Sequence, residues 1–182
     1  PKLCSQLALQ FEKEIYKFEI IGDDDIITPN NFKSFLKSLI HVFRNSIDHG
    51  IELPEIREEL EKDIIGTISC SFKKDKEDLV ILISDDGKGI NTDEIKKSFI
   101  QKGLDTEENL NKLNKKEIFN LIFADEFSSK EEVTDISGRG IGMSAVKEEV
   151  KKIAGNVEVF SEINKGTTFV FTLPFKRDDI RV

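Results

Sequence analysis

Three polar side chains at helical spacing are the first candidates for chemistry in this sequence. His41, Asn45 and Asp48 lie four and three residues apart, which places them on one face of an α-helix. An imidazole, an amide and a carboxylate can help to complete the octahedral shell of Mg²⁺, which favours oxygen ligands and takes others from waters and nucleotide phosphates. Every amphipathic helix has a polar face, however, so the spacing alone leaves a solvated surface equally open.

A carboxylate followed by two glycines forms a second candidate site. The segment Asp85-Asp86-Gly87-Lys88-Gly89 ends an apolar run, and its glycines would let the backbone approach a flat ligand. A carboxylate can accept a hydrogen bond from the exocyclic amine of adenine, whereas guanine presents a carbonyl there and would leave two acceptors facing each other. The segment therefore indicates an adenine pocket, with an ordinary Asp-Gly turn as the alternative.

A glycine-rich run directly before a predicted helix is the third candidate. Residues 137 to 143 read Ser-Gly-Arg-Gly-Ile-Gly-Met, and backbone N–H groups at a helix N-terminus attract phosphate. The dinucleotide fingerprint fails because Met143 occupies the place of its last glycine, and no G-x-x-x-x-G-K-[ST] segment occurs in the chain. A phosphate site of another kind is predicted, and a flexible glycine loop is the alternative.

Apolar periodicity predicts the elements that would hold these residues. Strands are expected at 16–21, 67–72, 79–84, 157–163 and 167–173, with the second and third, and the fourth and fifth, joined as hairpins. Helices are expected after Pro29, Asn91 and Asn114 and over 143–154, where apolar residues recur three or four apart. The two helices after asparagine begin with a capping-box pattern, and Gly155 suits the end of the last helix.

These elements predict an α+β fold. Helices on one face of a mixed, mainly antiparallel sheet make a two-layer α/β sandwich the expected architecture. The run 79–84 is apolar throughout, which predicts a central strand covered on both faces. Residues 123–142 are polar, rich in glycine and without periodicity, and are predicted to form a long functional loop.

Composition and charge exclude several classes of protein and of binding partner. The 182 residues, 38% of them hydrophobic, suit one domain, and the absence of an initiator methionine suggests a fragment of a larger protein. A net charge of -8 argues against nucleic acid and against direct membrane contact, because both need a clustered basic surface. Cys4 and Cys70 show neither a disulfide framework nor zinc spacing, so a cytoplasmic location is expected.

Five segments, taken in order, resemble the boxes of the GHKL (Bergerat) ATP-binding fold, which histidine kinases, type II topoisomerases and certain chaperones share. They are HVFRNSIDHGIE at 41–52, DDGKGI at 85–90, FSSKEEV at 127–133, SGRGIGM at 137–143 and KGTT at 165–168. The segments DHGIE at 48–52 and VTDISGRG at 133–140 are similar to those of chemotaxis histidine kinases in particular. The resemblance covers residues 11–174 and implies a single histidine-kinase-like ATPase domain over 1–182 with a mobile ATP lid.

The resemblance also implies a role for each matching residue. Asn45 and His41 would be the catalytic residues, Asn45 coordinating Mg²⁺ and His41 joining the metal or its water network. Asp48 and His49 would line the nucleotide side of the same helix, and Asp85 would read the adenine amine. The remaining nucleotide contacts would come from glycines beside the base, from the lid and from a threonine on the far side of the base: Gly87, Gly89, Ser128, Ser129, Lys130, Gly138, Arg139, Gly140, Ile141, Gly142, Met143 and Thr167.

The function implied is that of a kinase module. It would bind Mg-ATP and donate the γ-phosphate to a histidine on a separate phosphotransfer domain, with a response regulator downstream. The isolated domain would be monomeric and the full-length protein dimeric. A nucleotide-sensing or inactive interaction module is the alternative, because the acids Asp125 and Glu126 stand where chemotaxis kinases usually have an apolar or Pro-Gly pair. An ATPase coupled to protein movement ranks third.

Overall fold

A five-stranded open sheet is the frame of the fold. The computed structural model describes residues 15–22, 30–125 and 142–175. Within these ranges the strands are β1 (Ile15–Gly22), β2 (Gly66–Asp75), β3 (Asp78–Asp85), β4 (Asn156–Glu162) and β5 (Gly166–Pro174). Their order across the sheet is β1-β2-β3-β5-β4, and β1 runs parallel to β2 while the other three pairings are antiparallel. The predicted mixed, mainly antiparallel sheet is confirmed.

Six α-helices with complete bounds accompany the sheet in the described part of the chain, besides short 3-10 and π-helical segments. They are α1 (Lys33–Asn45), α2 (Pro54–Glu59), α3 (Thr92–Gln101), α4 (Glu107–Leu110), α5 (Lys115–Asn120) and α6 (Met143–Lys152). All four predicted helices are present. The sequence did not predict α2 and α4, because six and four residues are too few to show an apolar period.

The core lies between one face of the sheet and the helices. Alternate residues of β3 and β5 point into it and are fully buried or nearly so, among them Ile81, Ile83 and Phe171. The ring of Phe35 on α1 meets the ring of Phe171 edge-on, with centroids 5.3 Å apart. Burying such a side chain contributes about 1.5 to 3 kcal/mol, so this apolar layer stabilises the position of α1 over the sheet.

The second face of β3 is less covered than the sequence predicted. Val80, Leu82 and Ser84 are only half-buried, whereas the residues between them are buried. The prediction that this strand is covered on both faces is therefore wrong. An antiparallel sheet needs only one buried face, and half-buried valine and leucine on the other face make the run look uniformly apolar.

The helix after Pro29 ends in a wider turn than an α-helix has. Residues Ser46–Gly50 continue α1 as a π-helical turn, in which the N–H of Ile51 donates to the carbonyl of Ser46 at 2.7 Å. Such turns are rare and often lie at functional sites. The turn Ser46–Gly50 follows the core-facing helix and lies next to Asp85 at the end of β3.

Candidate functional site

Asp85 is the centre of the candidate site. It is the last residue of β3 and is 8% exposed. The hydroxyl of Ser46 donates to its Oδ2 at 2.8 Å, and the N–H groups of Gly87 and Thr167 donate to its Oδ1 at 3.1 and 3.2 Å. Three separate segments therefore converge on one carboxylate: the π-helical turn, the loop after β3 and the start of β5.

The surroundings of Asp85 oppose its ionisation. Burial raises the pKa of this carboxyl from 3.8 to about 6, although the hydrogen bonds from Ser46, Gly87 and Thr167 act in the opposite direction. The charge of Asp86 raises it further. At neutral pH the site therefore holds a buried negative charge, and one more hydrogen-bond donor from a ligand would stabilise it.

The predicted glycines allow close packing of the protein's own backbone. A Cβ at position 87 would lie 2.2 Å from the carbonyl oxygen of Gly50, and a Cβ at position 89 would lie 2.2 Å from that of Glu162. Gly89 also has a φ of +72°, a conformation that glycine adopts without strain. The structure accounts for Gly87 and Gly89 by these contacts, and their predicted approach to a ligand stays a prediction.

The predicted metal-binding face lies at the end of α1. His41, Asn45 and Asp48 are half-buried, while His49 is exposed. Oδ2 of Asp48 lies 3.6 Å from Nε2 of His49. Burial, and secondarily the charge of Arg44, lower the pKa of His41 below its ordinary value. Asp48 lies in the π-helical turn that follows Asn45, so the α-helical spacing used in its prediction does not apply to it.

The donors on α1 fit Mg²⁺ only as a complex with a nucleotide. Among the described residues, no three His, Cys, Asp or Glu side chains come together in a group that could hold a metal ion. Asn45 offers one amide oxygen, the type of ligand that Mg²⁺ prefers. The other ligands would have to come from phosphates and water, as is usual for this ion in nucleotide sites.

Most of the predicted lid contacts lie outside the described residues. These are Ser128, Ser129, Lys130, Gly138, Arg139, Gly140 and Ile141, together with Glu126 of the acidic pair. Gly142 is described and precedes α6, which begins without a hydrogen bond from a capping side chain. The side chain of Met143 is buried in the core at 4% exposure, so any phosphate contact of Met143 would come from its main chain.

Two serines of the site were missed by sequence reasoning. Ser46 lies four residues after Val42 and continues the buried stripe of α1, where a polar side chain needs a partner, and this signal could have identified it. The hydroxyl of Ser161 accepts from the N–H of Ile90 at 2.8 Å and lies 3.1 Å from the hydroxyl of Thr167. The sequence offers no comparable signal for Ser161.

The family of the chain follows from comparison with known proteins. The family model for the histidine kinase-, DNA gyrase B- and HSP90-like ATPases matches residues 36–177, which include Asn45, Asp85 and Thr167. The chain belongs to this ATPase family. The resemblance found in the sequence is thereby confirmed, and ATP is the nucleotide that the family description implies.

The relatives of this ATPase domain include chemotaxis proteins. The chain is 39% identical to the chemotaxis protein CheA of Halobacterium salinarum over 96% of this chain and 26% of that protein. It is 35% identical to the chemotaxis protein CheA of Salmonella typhimurium over 96% of this chain and 25% of that protein. The chain thus spans about a quarter of the length of these relatives.

Solved structures share the fold of this ATPase domain. The histidine kinase domain of the Erythrobacter litoralis blue-light activated histidine kinase matches 98% of this chain and 60% of that chain, with a TM-score of 0.56 and 13% identity. A mycobacterial sensor histidine kinase, MprB, matches 95% of this chain and 91% of that chain, with a TM-score of 0.51 and 16% identity. These similarities confirm the α+β architecture. In the described part of the chain, no helix has the length and apolar character to cross a membrane.

Proposed function

We propose that this domain is the ATP-binding catalytic module of a histidine kinase of the chemotaxis type. It binds Mg-ATP and presents the γ-phosphate to a histidine on a separate phosphotransfer domain. The observation that carries the proposal is the buried carboxylate of Asp85, which is held by donors from three segments and can accept a hydrogen bond from the adenine amine. Membership of the ATPase family and identity of 35 to 39% to the two CheA proteins support it.

Each part of the site has a task in this scheme. Asp85 accepts a hydrogen bond from the 6-amino group of adenine, and Thr167 lies on the far side of the base. Asn45 would hold Mg²⁺ through its amide oxygen, with His41 next to the metal or its waters. When bound, Mg²⁺ neutralises charge on the phosphates. The imidazole of the acceptor attacks the γ-phosphorus and ADP leaves, so the domain contributes positioning and charge neutralisation.

The partners follow from this chemistry. His41 and His49 are the two histidines of the sequence, and both belong to the candidate site. The phosphoryl group would therefore go to a histidine on a phosphotransfer domain and from there to a response regulator. We expect the domain to act in the cytoplasm and to be monomeric in isolation, with dimerisation residing in other parts of the full-length protein.

The first experiment is a calorimetric titration of Mg-ATP and Mg-GTP. We expect saturable binding of ATP, rejection of GTP, and loss of ATP binding by at least tenfold in Asp85→Asn, because the amide presents a donor to the adenine amine. Asp75→Asn is the matched control, since Asp75 is exposed at the opposite end of the sheet. A folded wild-type domain that binds neither nucleotide would contradict the proposal.

The second experiment tests phosphoryl transfer. A phosphotransfer domain encoded with this chain is incubated with the wild-type domain and radiolabelled Mg-ATP. Asn45→Ala should abolish labelling of the acceptor histidine, because the metal would lose its protein ligand. Asn120→Ala is the matched control on another helix. Normal labelling by Asn45→Ala would refute the role of Asn45.

A nucleotide-sensing module without transfer is the second candidate function. Asp125 is exposed at the start of the predicted lid, and an acid near a triphosphate would repel it. Under this alternative, ATP binds but no encoded acceptor becomes labelled. Replacing the pair by asparagine and glutamine should then strengthen ATP binding without producing transfer.

A further inference from the structure

An ionic cluster with a buried centre lies behind the loop that follows Asp85. It consists of Glu52, Arg57, Lys62 and Asp86, here called the Arg57 cluster. Arg57 is 1% exposed on α2 and donates to four acceptors: Glu52 Oε2 at 3.0 Å, Asp86 Oδ2 at 2.9 Å, the carbonyl of Asp86 at 3.4 Å and the carbonyl of Asp63 at 2.6 Å. Glu52, Arg57 and Lys62 are not among the predicted site residues, and the proposed function assigns no task to any member of the cluster.

Lys62 is the member that contacts the loop backbone most closely. Its Nζ donates to the carbonyl oxygens of Asp86 and Gly87 at 2.9 and 2.8 Å and to Oε1 of Glu52 at 2.7 Å. An ammonium group has three donors, and all three are used. Two consecutive carbonyls directly after Asp85 are therefore drawn to the same side of the loop.

The remaining hydrogen bonds of the loop are consistent with one fixed conformation. The N–H of Gly87 donates to Asp85 Oδ1 at 3.1 Å, and the N–H of Lys88 donates to the carbonyl of Gly50 at 2.9 Å. On the other side, Oδ1 of Asp86 accepts from the N–H of Thr67 at 2.9 Å. The backbone of residues 86–88 is thus held at each residue.

Stability alone does not explain a cluster of this kind. Removing arginine and lysine from water is costly, and replacing a buried ionic group by apolar residues is often neutral or stabilising. The two positive and two negative charges balance. Burial by itself would raise the pKa of Glu52. The hydrogen bond and the charge of Lys62 nevertheless hold this pKa below its ordinary value, so Glu52 stays ionised near neutral pH. What the cluster provides is directional bonds to two adjacent residues.

We propose that Lys62 and Arg57 are positioning residues for base recognition. By holding the backbone of Asp86 and Gly87, they keep the Asp85 carboxylate turned towards the 6-amino group of the purine. The inference rests on the proposed function, because it assigns these residues a task in the same adenine site. They act through Asp85 and the loop, and they need not touch the nucleotide.

The test compares two ligands that differ only in the group that Asp85 would read. Affinities of ATP and of purine riboside triphosphate, which lacks the 6-amino group, are measured with magnesium for the wild type and for Lys62→Met. Methionine keeps an unbranched side chain that is one atom shorter and removes all three donors. Lys112→Met is the matched control, since Lys112 forms an exposed ion pair with Glu108 away from the loop. Thermal unfolding shows that each variant is folded.

The ratio of the two affinities decides the outcome. In the wild type and in Lys112→Met we expect ATP to bind about tenfold to a hundredfold more tightly than purine riboside triphosphate. This factor corresponds to the contribution of one hydrogen bond to a charged group. In Lys62→Met the ratio should fall to within about threefold of unity while the analogue binds nearly as before. A merely structural role would weaken both ligands equally and leave the ratio unchanged, which would overturn the inference.

A second variant protects the test against misfolding. Lys62→Gln keeps donors for one carbonyl and should give an intermediate ratio if Lys62→Met is unstable. A wild-type ratio near unity would instead contradict the proposed function, because Asp85 would then not read the amine. A wild-type preference for ATP that persists in both Lys62 variants would refute the positioning role alone.

Discussion

At the scale of single residues, the Asp85 carboxylate is held in a place that favours a bound proton. Its environment includes three hydrogen-bond donors, yet burial still raises its pKa from 3.8 to about 6. The folded domain therefore holds this proton at pH values where the unfolded chain has released it. Stability from this carboxyl is fully present below pH 3.8 and is lost as the pH rises through about 6.

This linkage predicts the effect of Asp85→Asn on the domain without nucleotide. The variant carries no charge to bury, so at pH 8 its free energy of unfolding should exceed that of the wild type by up to about 3 kcal/mol, from about two pKa units at 1.36 kcal/mol each. The gain should shrink as the pH falls towards 4.5. Urea unfolding at several pH values measures it.

The control for this measurement is Asp75→Asn, which changes an exposed aspartate and should alter stability by less than about 0.5 kcal/mol. A stability gain of Asp85→Asn that does not vary with pH would contradict the assigned cause. A loss at pH 8 would show that the new amide disturbs the hydrogen bonds from Ser46 and Gly87. The same substitution that removes nucleotide binding should therefore stabilise the empty domain.

At the scale of elements, helix ends show where local sequence signals succeed and where they miss. Asn114 and Glu117 form the predicted capping box, with each side chain accepting from the other's backbone N–H. The end of α6 differs from its prediction. Ala154, with a φ of 54°, takes the left-handed position, and Gly155 follows it, where a Cβ would lie 2.7 Å from the side chain of Leu173.

The left-handed alanine provides a prediction for α6. Ala154→Gly should stabilise the domain by about 0.5 to 1 kcal/mol, because glycine adopts this conformation without the strain that a Cβ causes. Ala154 is exposed, so no packing is lost. Thermal unfolding monitored by circular dichroism measures the change. Ala145→Gly, inside the same helix, is the control and should destabilise the domain by a similar amount. If Ala154→Gly destabilises the domain instead, the explanation is refuted.

At the scale of the whole molecule, nucleotide binding and folding are linked through the convergence of distant segments. Asp85, Ser46 and Thr167 come together only in the folded domain, so a ligand that binds there stabilises the fold by mass action. Mg-ATP at a hundred times its dissociation constant should add about 2.7 kcal/mol and raise the midpoint of thermal unfolding by several degrees.

The same experiment with other ligands shows whether the linkage depends on the base. Mg-GTP at an equal concentration should shift the midpoint far less, and the shift that Mg-ATP causes should be much smaller in Asp85→Asn than in the wild type. Magnesium without nucleotide is the control, because the described residues contain no group of three His, Cys, Asp or Glu side chains that could hold a metal ion. Equal shifts with ATP and GTP would count against adenine recognition.

The sequence by itself determined the elements and the chemical types at the site. Apolar periods of two and of three to four residues predicted all five strands and the four longer or capped helices, because these patterns are local. The sequence also showed the asparagine of α1, the carboxylate that ends β3 and the glycines that follow it. The order of the boxes identified the ATPase family, which the comparison confirmed.

Only the tertiary structure decided which side chains meet. The hydroxyl of Ser46 donates to a carboxylate 39 residues later, and Lys62 donates to carbonyls 24 and 25 residues later. Such partners depend on strand register and on the π-helical turn, which no local pattern encodes. The physical reason is that a buried polar group must find a partner, while the sequence does not state which distant group packing will bring within reach.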